Sequence, residues 1–175
     1  MVCQIMLNLA GIVEDSVVDG PGLRTVVFCQ GCPHRCRGCH NPDTWEYGIG
    51  TEVSGDQLYD IITRNPLSKA VTFSGGEPFT QAHELAQAAG RLKEKGYEIA
   101  SYSGYTFEQL LNGTAEQKEL LNVIDVLIDG LYVQEERSLG LNFRGSENQR
   151  VLNVRESLKH KKAIAETSSR WLGEY

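Results

Sequence analysis

No apolar run in the chain approaches the roughly 20 residues that a membrane span requires, and the opening MVCQIMLNLAGIVEDS has no basic start and carries acids where a secretory leader would be cleaved. These absences predict a cytoplasmic protein. Surplus charge is also scarce: 17 Lys and Arg stand against 23 Asp and Glu, a net charge of −6. So mild an acidity speaks against general affinity for nucleic acid or anionic membranes, and partners must be recognised locally. Low-complexity segments and dividing linkers are missing. At 175 residues the chain is too short for two ordinary domains, and we expect a single domain over 1–175, with its core in about 18–154 and a C-terminal helix or tail in 155–175.

Cysteine is sparse and unevenly placed. Of five, Cys3 stands alone, whereas Cys29, Cys32, Cys36 and Cys39 fall within eleven residues. A disulfide framework would spread its cysteines over the fold, so the cluster points to one metal centre. A structural zinc site would normally add a second knuckle a dozen or more residues away, and none is present. Cys32, Cys36 and Cys39 have the spacing CxxxCxxC. Three thiolates on one short loop can hold three corners of a cubic iron–sulfur cluster and leave the fourth iron open to a substrate's amino and carboxylate groups. If Cys29 also bound, the open position would close and the protein would be a non-enzymatic electron-transfer module. Cys29 instead continues the alternating stretch LRTVVFC, as a buried small hydrophobe would. As metal ligands, Cys3, His34 and His40 are read the same way, as structural or merely exposed.

Apolar patterning orders the rest. Leu23 to Phe28, Ala70 to Ser74, Tyr97 to Tyr102, Val123 to Ile128 and Arg150 to Val154 read as strands. Ser54 with Gln57 opens a helix to about Arg64, Thr80 caps one to about Lys95, and Thr106 with Gln109 starts another that falters near Asn112-Gly113. From Phe73 onward the strands recur at about the interval of one strand–helix unit. The expected fold is α/β, a partial, open (β/α) barrel of about five units, because a closed eight-stranded barrel needs about 250 residues. Such sheets gather their chemistry beyond the C-terminal ends of the strands. The cysteines, Ser74-Gly75-Gly76-Glu77-Pro78, Ser103-Gly104-Tyr105 and Asp129-Gly130 all follow strand ends.

The blocks Val18-Asp19-Gly20-Pro21-Gly22-Leu23-Arg24-Thr25, Gln30-Gly31-Cys32-Pro33-His34-Arg35-Cys36 and Gly38-Cys39-His40-Asn41-Pro42 closely resemble the anaerobic ribonucleoside-triphosphate reductase activating proteins, a family of radical-SAM activases. So do Ser74 to Pro78, Ser103 to Phe107, Asp125 to Gly130 and Phe143 to Arg150. The resemblance implies a [4Fe-4S] cluster on Cys32, Cys36 and Cys39 with S-adenosylmethionine on the unique iron. Reduced flavodoxin or a similar donor would supply an electron. The resulting 5′-deoxyadenosyl radical would take hydrogen from a glycine of the reductase's glycyl-radical subunit, the chemistry being carried by cluster and ligand rather than by a catalytic side chain. Many relatives place an aromatic residue before the third cysteine; Gly38 stands there, and the resemblance leaves His40, Asn41 or Trp45 to meet the adenine. The alternative within enzymes is the activase of another glycyl-radical enzyme, such as pyruvate formate-lyase.

On this reading Gly75 and Gly76 let backbone approach the ligand's ammonium and Glu77 adds a negative charge to it, although a turn alone would also explain the glycines. Ser103 offers a hydroxyl to the ligand or serves the turn. Asp129, a carboxylate at the rim of a buried strand, must meet a cation beside the ligand or backbone N–H groups. Arg144, Asn148 and Arg150 form a donor-rich cluster for a ligand carboxylate or a partner, or a solvated loop.

Overall fold

The computed structural model describes residues 6–174, so Cys3 lies outside the described residues. A single seven-stranded sheet runs through them in the order β3-β1-β2-β4-β5-β6-β7. β1 (Met6–Ser16) and β2 (Arg24–Cys29) form an antiparallel pair, and β3 (Thr51–Ser54) pairs antiparallel on the far side of β1. β2, β4 (Ala70–Gly75), β5 (Glu98–Ser103) and β6 (Val126–Asp129) are parallel neighbours, and β7 (Arg150–Asn153) closes the row antiparallel to β6.

The chain is therefore mixed α/β with an open sheet, and the expectation of about five strand–helix units needs correction. Four strands are parallel; the fifth expected unit, β7, turns back on β6. β1 and β3 were not among the expected strands. β1 is half exposed and interrupted in register near Gly11 and Asp15, which blurs its period of two.

The helices are α1 (Gly55–Arg64), α2 (Ala82–Glu94), α3 (Phe107–Leu111), α4 (Ala115–Val123), α5 (Val154–His160) and α6 (Ser169–Leu172). Capping boxes fix three starts: Ser54 with Gln57, Thr106 with Gln109, and Thr114 with Gln117. Thr80 caps no helix; its hydroxyl donates to the Glu77 carbonyl within a 3-10 turn that precedes α2. None of these helices is long and apolar enough to cross a membrane.

Strand alternation divides the side chains between two faces. Val27, Cys29, Val71, Phe73, Ile99 and Leu127 join the apolar residues of α1 to α5 in one core, which includes Leu58, Leu85, Phe107 and Leu120. Thus α1 to α5 cover one face of the sheet, which excludes a doubly wound arrangement. The opposite face carries a small second core of Ala100, Val126, Ile128 and Trp171, and above it an open cavity.

Candidate functional site

The cavity measures about 490 Å³, within the range of roughly 300–1,000 Å³ typical of small-molecule sites. Cys32, Cys36 and Cys39 line it together with Gly75, Gly76 and Glu77 from the end of β4, and Ser103 and His40 also reach it. Eight of the nine sequence-predicted site residues thus share one cavity; Asp129 does not.

The cysteine loop is tied to the sheet through its backbone. Gly76 N donates to Cys29 O (2.8 Å), Glu77 N to Gly31 O (2.9 Å), Gly31 N to Thr44 O (2.8 Å) and Cys32 N to Trp45 O (3.0 Å). This stitching gives Gly75 and Gly76 a different reason from ligand approach. Gly75 has φ +91°, and a Cβ there would lie 2.6 Å from Cys29 N; at Gly76 it would lie 2.3 Å from Gly31 O. Backbone packing against backbone requires both. Gly38, in place of an aromatic residue, has φ +73° with Gln134 packed where a side chain would begin.

Cys29, Cys32, Cys36 and Cys39 are all free thiols. Cys29 belongs to the helix-side core, on the face away from the cavity, and burial pushes its thiol far up. Burial also raises Cys32 and Cys36, so thiolates there call for compensating positive charge, which a bound iron centre would supply. Among the described residues no three His, Cys, Asp or Glu groups meet closely enough to hold a single metal ion. Three thiols spread around one wall, with the fourth facing elsewhere, suit a polynuclear cluster bearing an open position. The residues present fit a cluster and a ligand beside it.

Glu77 is fully buried, and its carboxylate accepts four hydrogen-bonding contacts: Phe79 N (3.0 Å) and Ser103 Oγ (2.9 Å) on Oε1, Gly104 N (2.8 Å) and His34 Nε2 (2.9 Å) on Oε2. These occupy the roughly four acceptor sites of a carboxylate. The acid therefore joins the cysteine loop to the ends of β4 and β5, and an ammonium group at Oε2 would have to take the place of His34. Ser103 is likewise committed, donating to Glu77 and accepting from Tyr105 N (3.0 Å). His40 packs tilted against Tyr132, ring centroids 4.9 Å apart, at the cavity wall. Trp45 also lines the cavity, and its indole N–H is buried without a partner.

Asp129 belongs to a neighbouring cavity bounded by Glu108 and Asn148. It accepts from Phe107 N (2.7 Å) and from Nε (2.9 Å) and Nη2 of Arg150, so a guanidinium and a backbone N–H meet the cost of its burial. Arg150 also pairs with Glu108, holding that carboxyl below its ordinary range, and Asp129 together with Glu108 raises the guanidinium. The expected donor cluster consequently divides. Asn148 Nδ2 donates to Leu131 O (2.8 Å), whereas Arg144 lines the main cavity with Nη1 on Gln149 O (2.9 Å) and a buried, unpartnered Nε. Phe28, Tyr102 and Phe143, which sequence reasoning did not mark, form apolar wall; only the alternation of β2 and β5 could have signalled the first two.

Three free thiols around one cavity at the C-terminal ends of parallel strands form a candidate site for an iron–sulfur cluster with a small ligand beside it. In agreement, the family described as "4Fe-4S single cluster domain" matches residues 18–152. The anaerobic ribonucleoside-triphosphate reductase-activating protein of Vibrio cholerae is 36% identical over 141 residues, covering 76% of this chain and 89% of the relative. That of Escherichia coli K12 is 31% identical over 147 residues, covering 79% and 94%. The chain belongs to the anaerobic ribonucleoside-triphosphate reductase-activating protein family. It is a radical-SAM enzyme whose cofactors are a [4Fe-4S] cluster and S-adenosylmethionine. The pyruvate formate-lyase-activating enzyme of Clostridium pasteurianum is 38% identical over 119 residues, covering 63% of this chain and 50% of that enzyme. Among solved structures, QueE from Escherichia coli is similar with a TM-score of 0.47 and 20% identity, over 58% of this chain and 53% of that one.

Proposed function

We propose that this protein places a glycyl radical on an anaerobic ribonucleoside-triphosphate reductase in the cytoplasm, drawing its electron from reduced flavodoxin or a similar donor. The carrying observation is the wall of three free thiols beside a cavity of about 490 Å³, in a chain that aligns along 94% of a reductase-activating relative. Cys32, Cys36 and Cys39 are the cluster ligands on this reading. When bound, the cluster and S-adenosylmethionine supply one-electron cleavage of a sulfonium bond and thereby a hydrogen-abstracting radical. Gly75 and Gly76 hold the cysteine loop against β4, and Glu77 with Ser103 fixes the adjoining strand ends. Phe28, Tyr102 and Phe143 keep water from the ligand, as a reactive radical requires. Arg144 and Trp45 present unpartnered donors to the ligand's acceptors, and His40 with Tyr132 provides a face for its adenine. Asp129 acts at second hand, by holding Arg150 and the start of α3.

Helices on one face and the cavity on the other support reading the sheet as a single radical-SAM domain, a partial (β/α) barrel left open for a partner's glycine loop. A closed four-thiolate electron carrier is disfavoured because Cys29 faces the helices. The identity of 38% to a pyruvate formate-lyase-activating enzyme favours that lyase as second partner, but this chain spans half of that relative.

The test mixes the reconstituted protein with reductant, S-adenosylmethionine and either candidate partner under anaerobic conditions. The expected signal is an electron paramagnetic resonance doublet on the reductase that collapses when its glycine carries α-deuterium. Consumption of S-adenosylmethionine with a radical on the lyase alone would transfer the assignment to the second partner, and with neither would overturn it.

A further inference from the structure

The segment that follows α5 lies beyond the matched family region, which ends at residue 152, and it is built into the sheet. Lys161 adopts a left-handed conformation (φ 50°) and turns the chain back along β7. Asn153 N donates to Ile164 O (2.9 Å), Glu166 N donates to Val151 O (2.9 Å), and Leu152 forms a bridge with Ala165. The chain thus covers the outer edge of β7 and crosses to the face that α1 to α5 leave uncovered.

There α6 delivers Trp171, 4% exposed, into the small core of Ala100, Val126 and Ile128. Its ring meets Phe143 edge to face at 5.4 Å and lies 5.3 Å from the Arg24 guanidinium. A Cβ on Gly20 would stand 3.1 Å from that ring, so the turn before β2 rests on it. The neighbours of Trp171 are anchored too: Arg170 Nη1 reaches Glu98 at 3.3 Å, and Asn142 Nδ2 donates to Leu172 O at 2.6 Å. Phe143 itself has φ +57°, a conformation held by neighbours rather than by preference, and its carbonyl accepts from Tyr102 OH at 2.8 Å. Phe143, Val18 and Asp19 line the cysteine cavity.

We infer that residues 161–174 are a built-in plug, with Trp171 as a positioning residue that holds Phe143 and the Val18–Gly20 turn as the floor of the cofactor cavity. An open sheet leaves its inner face accessible from the end opposite the cysteines, and this segment seals that end. Without it the apolar patch around Ala100, Val126 and Ile128 would face water, and water would reach the ligand from below. The inference rests on the radical-SAM activase reading for its kinetic consequence, though not for its structural one.

The experiment compares the full chain with Trp171→Phe and Trp171→Ala, each checked for folding by circular dichroism and for iron content. Amide hydrogen exchange on the unreconstituted protein reports the floor directly. Trp171→Ala should speed exchange at Gly145 and Ser146, whose N–H groups donate to Gln149 Oε1 just after Phe143, while leaving the cysteine loop unchanged. In the loaded enzyme it should raise the 5′-deoxyadenosine formed per glycyl radical by on the order of a hundredfold, the scale of a 1 Å misplacement. Trp171→Phe should restore most of the coupling. Should Trp171→Ala not accumulate as folded protein, Trp171→Leu with Arg170→Ala takes its place under the same measurements. Unchanged exchange and coupling in a folded variant would overturn the inference, as would a lowered melting temperature with coupling intact. If the native chain cleaves S-adenosylmethionine but labels no reductase, the partner reading fails, while the exchange result still decides the plug.

Discussion

Cys29 and Cys32 are close neighbours in sequence and serve different faces of the sheet. The alternation of β2 sends Cys29 into the helix-side core with Val27, and the chain then leaves the strand before Cys32 reaches the cavity. Iron and sulfide counted after anaerobic reconstitution should therefore be lost in Cys36→Ala and retained in Cys29→Ala, whose penalty is a stability loss of about 1 kcal/mol from a small core deletion. A Cys29→Ala protein as empty as Cys36→Ala would refute the open-site assignment. At this scale the sequence was readable where chemistry is local: three thiols on one loop need no fold to be recognised. That Glu77 stands at the strand-end rim was legible, and its bonding was not. Its contact with His34 joins residues 43 positions apart, and Ser103 lies 26 positions away.

Between elements, the end of β4 and the cysteine loop behave as one piece, because Gly76 N donates to Cys29 O and Glu77 N to Gly31 O, while Gly31 N and Cys32 N tie the same loop to Thr44 and Trp45. Gly76→Ala puts a methyl group 2.3 Å from Gly31 O and 3.0 Å from Thr44 O, both backbone atoms that cannot rotate away. It is expected to cost about 1–3 kcal/mol through overpacking, and to displace the loop so that the cluster is lost faster on exposure to chelator. Far-UV circular dichroism should stay native. Chelator resistance equal to the parent protein would show that the close approach is not needed for the cluster. The helices were the more legible elements, since capping boxes at Ser54 and Thr106 are written in four consecutive residues. The box at Thr114 follows the same rule and went unread beside the Asn112-Gly113 interruption. β1 and β3 were hidden for a different reason: β3 is a four-residue edge strand, and β1, although paired on both sides, is half exposed and broken in register, so neither imposes a clear apolar period.

Across the whole molecule, Arg24 connects the turn before β2, the parallel strands and the C-terminal segment. Fully buried, it donates to Thr72 Oγ1 (2.8 Å), Val71 O (3.1 Å), Pro21 O (3.3 Å) and Glu98 Oε1 (2.7 Å), with Trp171 packed against its guanidinium. Arg24→Ala should lower stability by about 3–5 kcal/mol, the cost of breaking a buried charged network, seen as a shift of the urea midpoint. Arg24→Lys should recover only part, because an ammonium lacks the planar fork that serves several acceptors at once. A loss below about 1 kcal/mol, the scale of an exposed pair, would show that the network is not structural. The motif containing Arg24 was read in the sequence as part of a family resemblance, and the structure gives its residues this tying role.

Composition, cysteine spacing and capping patterns by themselves determined the clustering of thiols on one loop, the main helices and the α/β class, because each depends on residues within a few positions of one another. Only the tertiary structure decided that β7 runs antiparallel, that Asp129 is satisfied by Arg150 outside the cysteine cavity, and that the last residues return to bury Trp171. The physical reason is that a buried charge or ring accepts whichever partner removes its cost of burial, and chain proximity does not identify that partner. For Asp129 it stands 21 positions away, and for Glu98, whose partner is Arg24, 74.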